Sequence, residues 1–313
     1  MKQVVIDGAT SMLGMALINE CISNGIRVLA IARADSRRLN IIPESKLLRV
    51  VRCNLEGLKE LDINDVGNCD VYYHFAWGNT FAEERKKVFL QNPNIQYTLD
   101  AVQLANRLGC RLFVGAGSQA EYGRVSGRIG PQTPVNPEVA YGVAKYAAGK
   151  MAGILCEELG MEHIWTRIFS VYGIGDNATT LVMYAIDKLL KGEKPSFTRA
   201  EQKWDYLYSR DAGRAFRLIG EKGKNGRVYC IGSGQNRELK EYIYLIRDAI
   251  DGSLPLGIGE REYAPLQVMN LLSDITLLRE DTGFEPQYTF EEGIRETIDW
   301  RRSSNVDSAG KIK

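Results

Sequence analysis

Tyr141 and Lys145 stand four residues apart in Tyr141-Gly142-Val143-Ala144-Lys145, a spacing that puts a phenol and an ammonium on one face of a helix. A phenol with a pKa of about 10 is a poor base at neutral pH, and a neighbouring cation favours its ionised form. Ser118 follows the apolar run 111–114 and adds a hydroxyl that can hydrogen-bond a carbonyl or alcohol oxygen. The three together suit proton transfer at an oxygen while hydride moves to or from the carbon that bears it. Tyrosine and lysine occur at this spacing in many helices, so the weight falls on what accompanies them.

What accompanies them is a loop suited to a hydride carrier. Gly8-Ala9-Thr10-Ser11-Met12-Leu13-Gly14 joins a strand to a helix, where pyrophosphate can rest on helix N-terminal N–H groups. Gly8 permits the tight turn and Gly14 lets the helix pack closely on the strand, while Ser11 replaces the usual middle glycine and can donate to a phosphate. A carboxylate after the second strand would bind a ribose 2′-hydroxyl and mark NAD. This chain has Ala32-Arg33 and then Ser36, Arg37 and Arg38. Arginines pair bidentately with a 2′-phosphate, which favours NADP(H), with NAD(H) the alternative if Arg33 stacks on adenine and Arg37 is merely solvated. Asn54 and Leu55, after the third strand, are placed beside the adenine.

The elements that must position these groups read as α/β. Short apolar runs at 4–6, 28–32, 47–51, 71–75, 111–114 and 163–167 alternate with helical stretches at 13–24, 94–108 and 141–158, the pattern of a doubly wound, Rossmann-type parallel sheet. Residues 1–172 form the expected dinucleotide-binding domain, with segments near 207–232 returning to it and 228–231 as a last strand. Residues 173–313 are expected mainly to build a smaller C-terminal substrate-binding lobe. It would hold helices near 180–191, 238–250 and 291–301, a hairpin-like region up to Tyr208, and a polar tail after 303 that frays. Forty basic against 39 acidic residues give no bulk reason to expect nucleic acid. No run approaches the length of a membrane span. The N-terminus enters a strand directly, without the pattern of a secretory leader. Six scattered cysteines lack metal-site spacing and two histidines exclude a His-rich centre. A cytoplasmic location with reduced thiols and no metal is the expectation.

Several segments together carry a family resemblance: GATSMLG (8–14), HFA (74–76), Asn94 in NPNIQYTLDA, GAGSQAEYG (115–123), YGVAK (141–145), TRIFSVYGIGD (166–176), KWDYLYSRDAGRAF (203–216) and FEEGIRETIDW (290–300). With them the chain resembles the extended short-chain dehydrogenases/reductases, the NAD-dependent epimerase/dehydratase group that modifies nucleotide sugars. The resemblance implies Ser118, Tyr141 and Lys145 as the catalytic set, Ala76 against the cofactor, and a nucleotide-diphosphate sugar in the cleft. It also implies a homodimer through helices near 94–108 and 141–158.

Departures from the family pattern narrow the chemistry. Family dehydratases carry an acidic pair after the catalytic hydroxyl, where this chain has Gln119-Ala120, so elimination of water is disfavoured. The expectation is reduction of a nucleotide-linked 4-keto-(6-deoxy) sugar with Tyr141 as proton donor. The alternative is a C4 epimerase that retains NAD. A dinucleotide-binding sensor or scaffold without activity would be expected to lack one of the three residues, and all are present. Arg261 matches the family arginine that holds the substrate diphosphate. Trp77, Asn94 and Gln119 are candidate sugar contacts. Ser170 replaces a family asparagine, and Trp204 stands where many relatives have arginine, so the usual phosphate contacts are altered. Glu121 occupies a position usually apolar in the family and either touches substrate or supports a residue that does. Phe197 is assigned to the lobe core, His74 to packing beside the cofactor loop, and His163 to structure.

Overall fold

The short apolar runs form strands buried on both faces, which a parallel sheet covered by helices on each side requires. The computed structural model describes residues 1–63, 66–265 and 267–310, the last seven as backbone only. β1 (Gln3–Asp7) leads into α1 (Met12–Ser23), β2 (Arg27–Ala32), β3 (Leu48–Arg52), β4 (Val71–His74), α2 (Val88–Gln91), α3 (Pro93–Arg107), β5 (Leu112–Ser118), α4 (Ala140–Glu158) and β6 (Glu162–Ile168). After β7 (Ser170–Tyr172) and α5 (Leu181–Leu190) come β8 (Lys203–Trp204), β9 (Tyr206–Tyr208), α6 (Ser209–Lys222), β10 (Val228–Ile231), β11 (Arg237–Glu238), α7 (Leu239–Asp248), α8 (Thr276–Thr282) and α9 (Phe290–Gly310).

Seven strands pair in parallel in the order β3-β2-β1-β4-β5-β6-β10. This is a Rossmann-type doubly wound sheet. Alternate residues of each strand feed opposite layers: Val4, Ile6 and Val28 pack with α1 and α6, and Val5, Leu29, Tyr72 and Phe113 pack with α3 and α4. The chain's path reverses between β1 and β4, so their carboxyl ends open a crevice at the switch point.

Gly8 makes that crevice. Its φ is +62°, and a Cβ on it would lie 2.7 Å from the backbone nitrogen of Ala76 at the end of β4. Gly14 sits equally close, since a Cβ there would meet the Gly8 carbonyl oxygen at 2.5 Å. Ser11 caps α1 by accepting from the Gly14 N–H at 3.0 Å. A serine at this position therefore caps the helix with a lone pair, and its O–H is left to donate.

A second core gathers Tyr172, Phe197, Tyr208, Tyr242, Ile243 and Phe290 among α5, α7 and α9. The segment up to Tyr208 is not a hairpin. β8 pairs antiparallel with β11, and β9 pairs parallel with β7, because Asp205 between them is fully buried and bonds outward to Ser233, Gly234 and Ser273. α8 and Phe284 return to the main core rather than the smaller one. The last helix runs to Gly310, and residues 311–313 of the expected polar tail lie outside the described residues. All six cysteines are free and five are buried, with Cys53 half-buried. No helix among the described residues is long and apolar enough to cross a membrane.

Gly25 offers a control for Gly8, because it also has positive φ (+72°) but nothing within 4 Å of the place a Cβ would take. Gly25→Ala is expected to cost about 1 kcal/mol for the left-handed backbone alone. Gly8→Ala should cost roughly 1–3 kcal/mol more, from the clash with β4. Urea unfolding of the two variants checks the difference.

Candidate active site

The carboxyl ends of β1 and β4 are joined by Asp7, which is 1% exposed. Its Oδ1 accepts from the backbone N–H groups of Phe75 (2.7 Å) and Ala76 (2.8 Å), and its Oδ2 from the Tyr72 hydroxyl at 3.1 Å. His74 Nδ1 lies 2.5 Å from Oδ2 and its Nε2 lies 3.1 Å from the Thr98 hydroxyl. His74 is thus held from both ring nitrogens, with its ring 5.8 Å from that of Phe113. Nothing in the strand pattern singled out Asp7. A carboxylate ending an otherwise apolar strand was the available signal.

On the neighbouring strand end, Ser118 closes β5 and its hydroxyl accepts from the Ala120 N–H at 3.2 Å. Tyr141 and Lys145 point from α4 toward the same edge. Lys145 is 3% exposed, its ammonium donates to the Ala116 carbonyl at 2.5 Å, and it lies 3.6 Å from the Trp77 ring centroid. Burial lowers its pKa to about 7, against the opposing pull of Glu121 and Asp7. Tyr141 meets Trp77 edge to face at 6.0 Å, and the Arg85 guanidinium stands 4.7 Å from its ring centroid. Burial raises the phenol above its ordinary value, while Arg85 and a hydrogen bond with Ser118 lower it and Glu121 raises it. Ser118, Tyr141, Lys145 and Trp77 are therefore brought together. Arg85, on an exposed segment with no apolar period, was not anticipated.

Beneath Ser118 lies Glu121, fully buried. Its Oε1 accepts from the Ser118 N–H at 2.9 Å and from the Trp165 indole at 3.0 Å, and its Oε2 pairs with Arg167 Nε at 2.8 Å. Of the two roles left open for Glu121, the geometry gives the supporting one: its oxygens are engaged by protein donors and none of its surface is exposed.

Other expected contacts are used differently. Asn94 is 2% exposed; its Oδ1 accepts from the Gly78 N–H at 2.7 Å and its amide donates to the carbonyls of Gly78, Leu90 and Gln91. It clamps the loop after β4 and has no free group for a sugar. Trp204 donates its indole N–H to the Ser170 hydroxyl at 2.7 Å, which uses the one polar group of Trp204 and leaves Ser170 its O–H. Trp77 likewise donates its indole N–H to Gln91 at 2.9 Å, leaving its ring face toward Lys145. Arg261 donates to the Tyr184 hydroxyl at 3.0 Å and remains exposed on the smaller lobe. Gln119 is half-buried, with no side-chain hydrogen bond among the described residues.

At the cofactor-ribose end, Arg33 and Arg37 are exposed, whereas Arg38 turns back to the Gly175 carbonyl at 2.6 Å. Thr10 and Ser36 share a hydroxyl contact of 3.2 Å that ties the glycine loop to the β2 end. Asn54 accepts from the Ala34 N–H at 3.1 Å and so shapes that same turn, with Leu55 half-buried beside it. Met12 and Leu13 form the first turn of α1, half-buried at its amino end. The Gly8–Gly14 cradle, which any Cβ would fill, and the open amino end of α1 fit a dinucleotide.

The family model described as "NAD dependent epimerase/dehydratase family" matches residues 4–232. The chain belongs to that family. The resemblance to extended short-chain dehydrogenases/reductases is borne out at the level of the family. A dTDP-glucose 4,6-dehydratase of Xanthomonas campestris pv. campestris is 26% identical over 199 residues, covering 60% of this chain and 57% of its own length. That match spans little more than half of the relative. A putative UDP-glucose 4-epimerase of Methanocaldococcus jannaschii is 23% identical over 315 residues, covering 96% of this chain and 99% of its own. Among solved structures, a UDP-N-acetylglucosamine 4-epimerase from Methanobrevibacter ruminantium M1, in complex with UDP-N-acetylmuramic acid, superposes with a TM-score of 0.87. It is 20% identical and covers 97% of this chain and 99% of that one, a likeness of fold.

Proposed function

We propose that the protein reduces a 4-keto sugar linked to a nucleoside diphosphate, with Ser118, Tyr141 and Lys145 as its catalytic residues. The observation that carries this reading is their convergence at the carboxyl edge of β5. There burial raises the Tyr141 phenol above its ordinary value, which favours the protonated form that donates to a carbonyl oxygen as it becomes an alcohol. A dinucleotide on the glycine loop supplies the hydride. Ser118 donates to the same carbonyl oxygen and orients it. Lys145, in its charged form, stabilises the phenolate left after proton transfer and offers an N–H toward the cofactor's ribose. Gln119 and Ala120 provide neither acid nor base, which argues against dehydration even though dehydratases are among the relatives. Arg33 and Arg37, exposed where the family's NAD enzymes carry an acidic residue, support NADPH as reductant. The likeness to a 4-epimerase along the whole chain favours a second reading, C4 epimerisation with the cofactor retained.

The test follows absorbance at 340 nm with NADPH or NADH and a panel of nucleotide-linked 4-keto sugars. Stoichiometric NADPH loss with a new sugar is expected. Tyr141→Phe should reduce kcat by roughly 100-fold or more, and Arg33→Ala with Arg37→Ala should raise the KM for NADPH about tenfold while sparing NADH. Interconversion of C4 epimers without net cofactor loss would transfer the assignment to the second reading.

We further propose a homodimer through α3 and α4. α4 leaves Val143, Met151 and Ile154 exposed at 51%, 44% and 59%, an apolar stripe rather than a solvated face. Ile154→Glu is expected to yield a monomer in sedimentation analysis; a wild-type protein that is itself monomeric at micromolar concentration would refute the assembly.

A further inference from the structure

Room for the Glu121 network has been cut from three positions. A Cβ on Gly115 would lie 2.1 Å from the Trp165 ring, one on Gly117 would lie 2.3 Å from both Glu121 Oε1 and Trp165 Nε1, and one on Gly149 would lie 2.5 Å from the indole. Two glycines of β5 and one of α4 thus form a slot that lets the indole reach the carboxylate. Glycine inside a strand or helix costs about 0.5–1 kcal/mol relative to alanine. A buried ion pair is itself weak as a source of stability, because desolvation of both charges offsets their attraction. Stability alone therefore gives a poor account of why Glu121, Arg167 and Trp165 are assembled here.

Their placement supplies another. Glu121 and Ser118 form a reciprocal cap, in which the Glu121 carboxylate accepts from the Ser118 N–H and the Ser118 hydroxyl accepts from the turn that follows. The hydroxyl expected to meet substrate is fixed by this turn. The same carboxylate acts electrostatically on the other two residues of the set. The charged groups acting on Tyr141 are Arg85, from the segment 84–86, and Glu121; the Ser118 hydroxyl bonds to it and Lys145 stands 5.9 Å from its ring centroid on the same helix. Lys145 faces Glu121, Asp7 on β1 and Arg85. Arg167, on β6, lies behind Glu121 and is paired to it.

We infer that Glu121 is a positioning residue for the reaction at Tyr141: locked by Arg167 and Trp165, it holds the Ser118 turn and stands as a fixed negative charge behind the Tyr141–Lys145 pair. The inference rests on the proposed role of those residues, but its test does not need the sugar. The carboxylate opposes ionisation of the phenol, so it preserves the proton that Tyr141 donates.

The experiment is an NMR titration of the 13Cζ-tyrosine-labelled protein with dinucleotide bound, Tyr141 being assigned by its loss in Tyr141→Phe. Glu121→Gln retains an acceptor for the Ser118 and Trp165 N–H groups and removes the charge. The Tyr141 midpoint is expected to fall. Trp165→Phe retains the charge and should lower the melting temperature while leaving the midpoint in place. An unmoved midpoint in folded Glu121→Gln would overturn the inference. If that variant fails to fold with Arg167 unpaired, Glu121→Gln combined with Arg167→Met leaves no lone buried charge, and the same two outcomes decide. With an active sugar in hand, Glu121→Gln should lower kcat with little change in KM. Absence of any active sugar would count against the proposed function and leave the titration readable.

Discussion

An ammonium buried where no carboxylate touches it is the constraint around which the site is built. Lys145 finds one acceptor, the Ala116 carbonyl, and lies against the Trp77 ring. Such a group survives burial only if the surrounding field favours its charge or if it gives up the proton. Asp7 and Glu121 supply that field from two strand ends without contacting the lysine. To bring the ammonium there, α4 must lie directly on the turn after β5. A Cβ on Gly142 would meet the Ala120 carbonyl at 2.4 Å, and Ala144, Ala148 and Ala152 continue the thin, buried face of the helix.

The two carboxylates solve the same local problem. Strands that end at a loop leave backbone donors without ladder partners, and buried donors must be satisfied. Asp7 takes the N–H groups of Phe75 and Ala76, and Glu121 takes that of Ser118. Each is then held by a basic side chain behind it, His74 or Arg167. Satisfying the ends of β4 and β5 thus places two carboxylates whose field acts on Lys145, and one set of contacts serves the backbone and the site's electrostatics together.

The sheet and the three converging residues were legible because they depend on local patterns: apolar runs of strand length, glycines at a strand–helix junction, and a four-residue helical spacing. Of the polar side chains that support them, only Glu121 stood out, with its role left open. Asp7 and Arg167 meet partners 67 and 46 positions away, and only folding brings these together. Asn94 and Trp204 carry side chains able to contact a sugar, yet folding spends their hydrogen bonds on a loop and on the Ser170 oxygen. The mistaken hairpin before Tyr208 has a similar cause. Two short strand-like runs in succession suggest mutual pairing, whereas buried Asp205 between them sends each to a different partner.

The buried ammonium can be read directly. In a titration of the lysine side-chain 13Cε resonances of the ligand-free protein, with Lys145 assigned by its loss in Lys145→Met, a midpoint of about 7 is predicted. A midpoint at the ordinary lysine value of about 10.5 would mean that water reaches the ammonium, and would contradict an account in which burial, opposed by Asp7 and Glu121, governs the chemistry of the site.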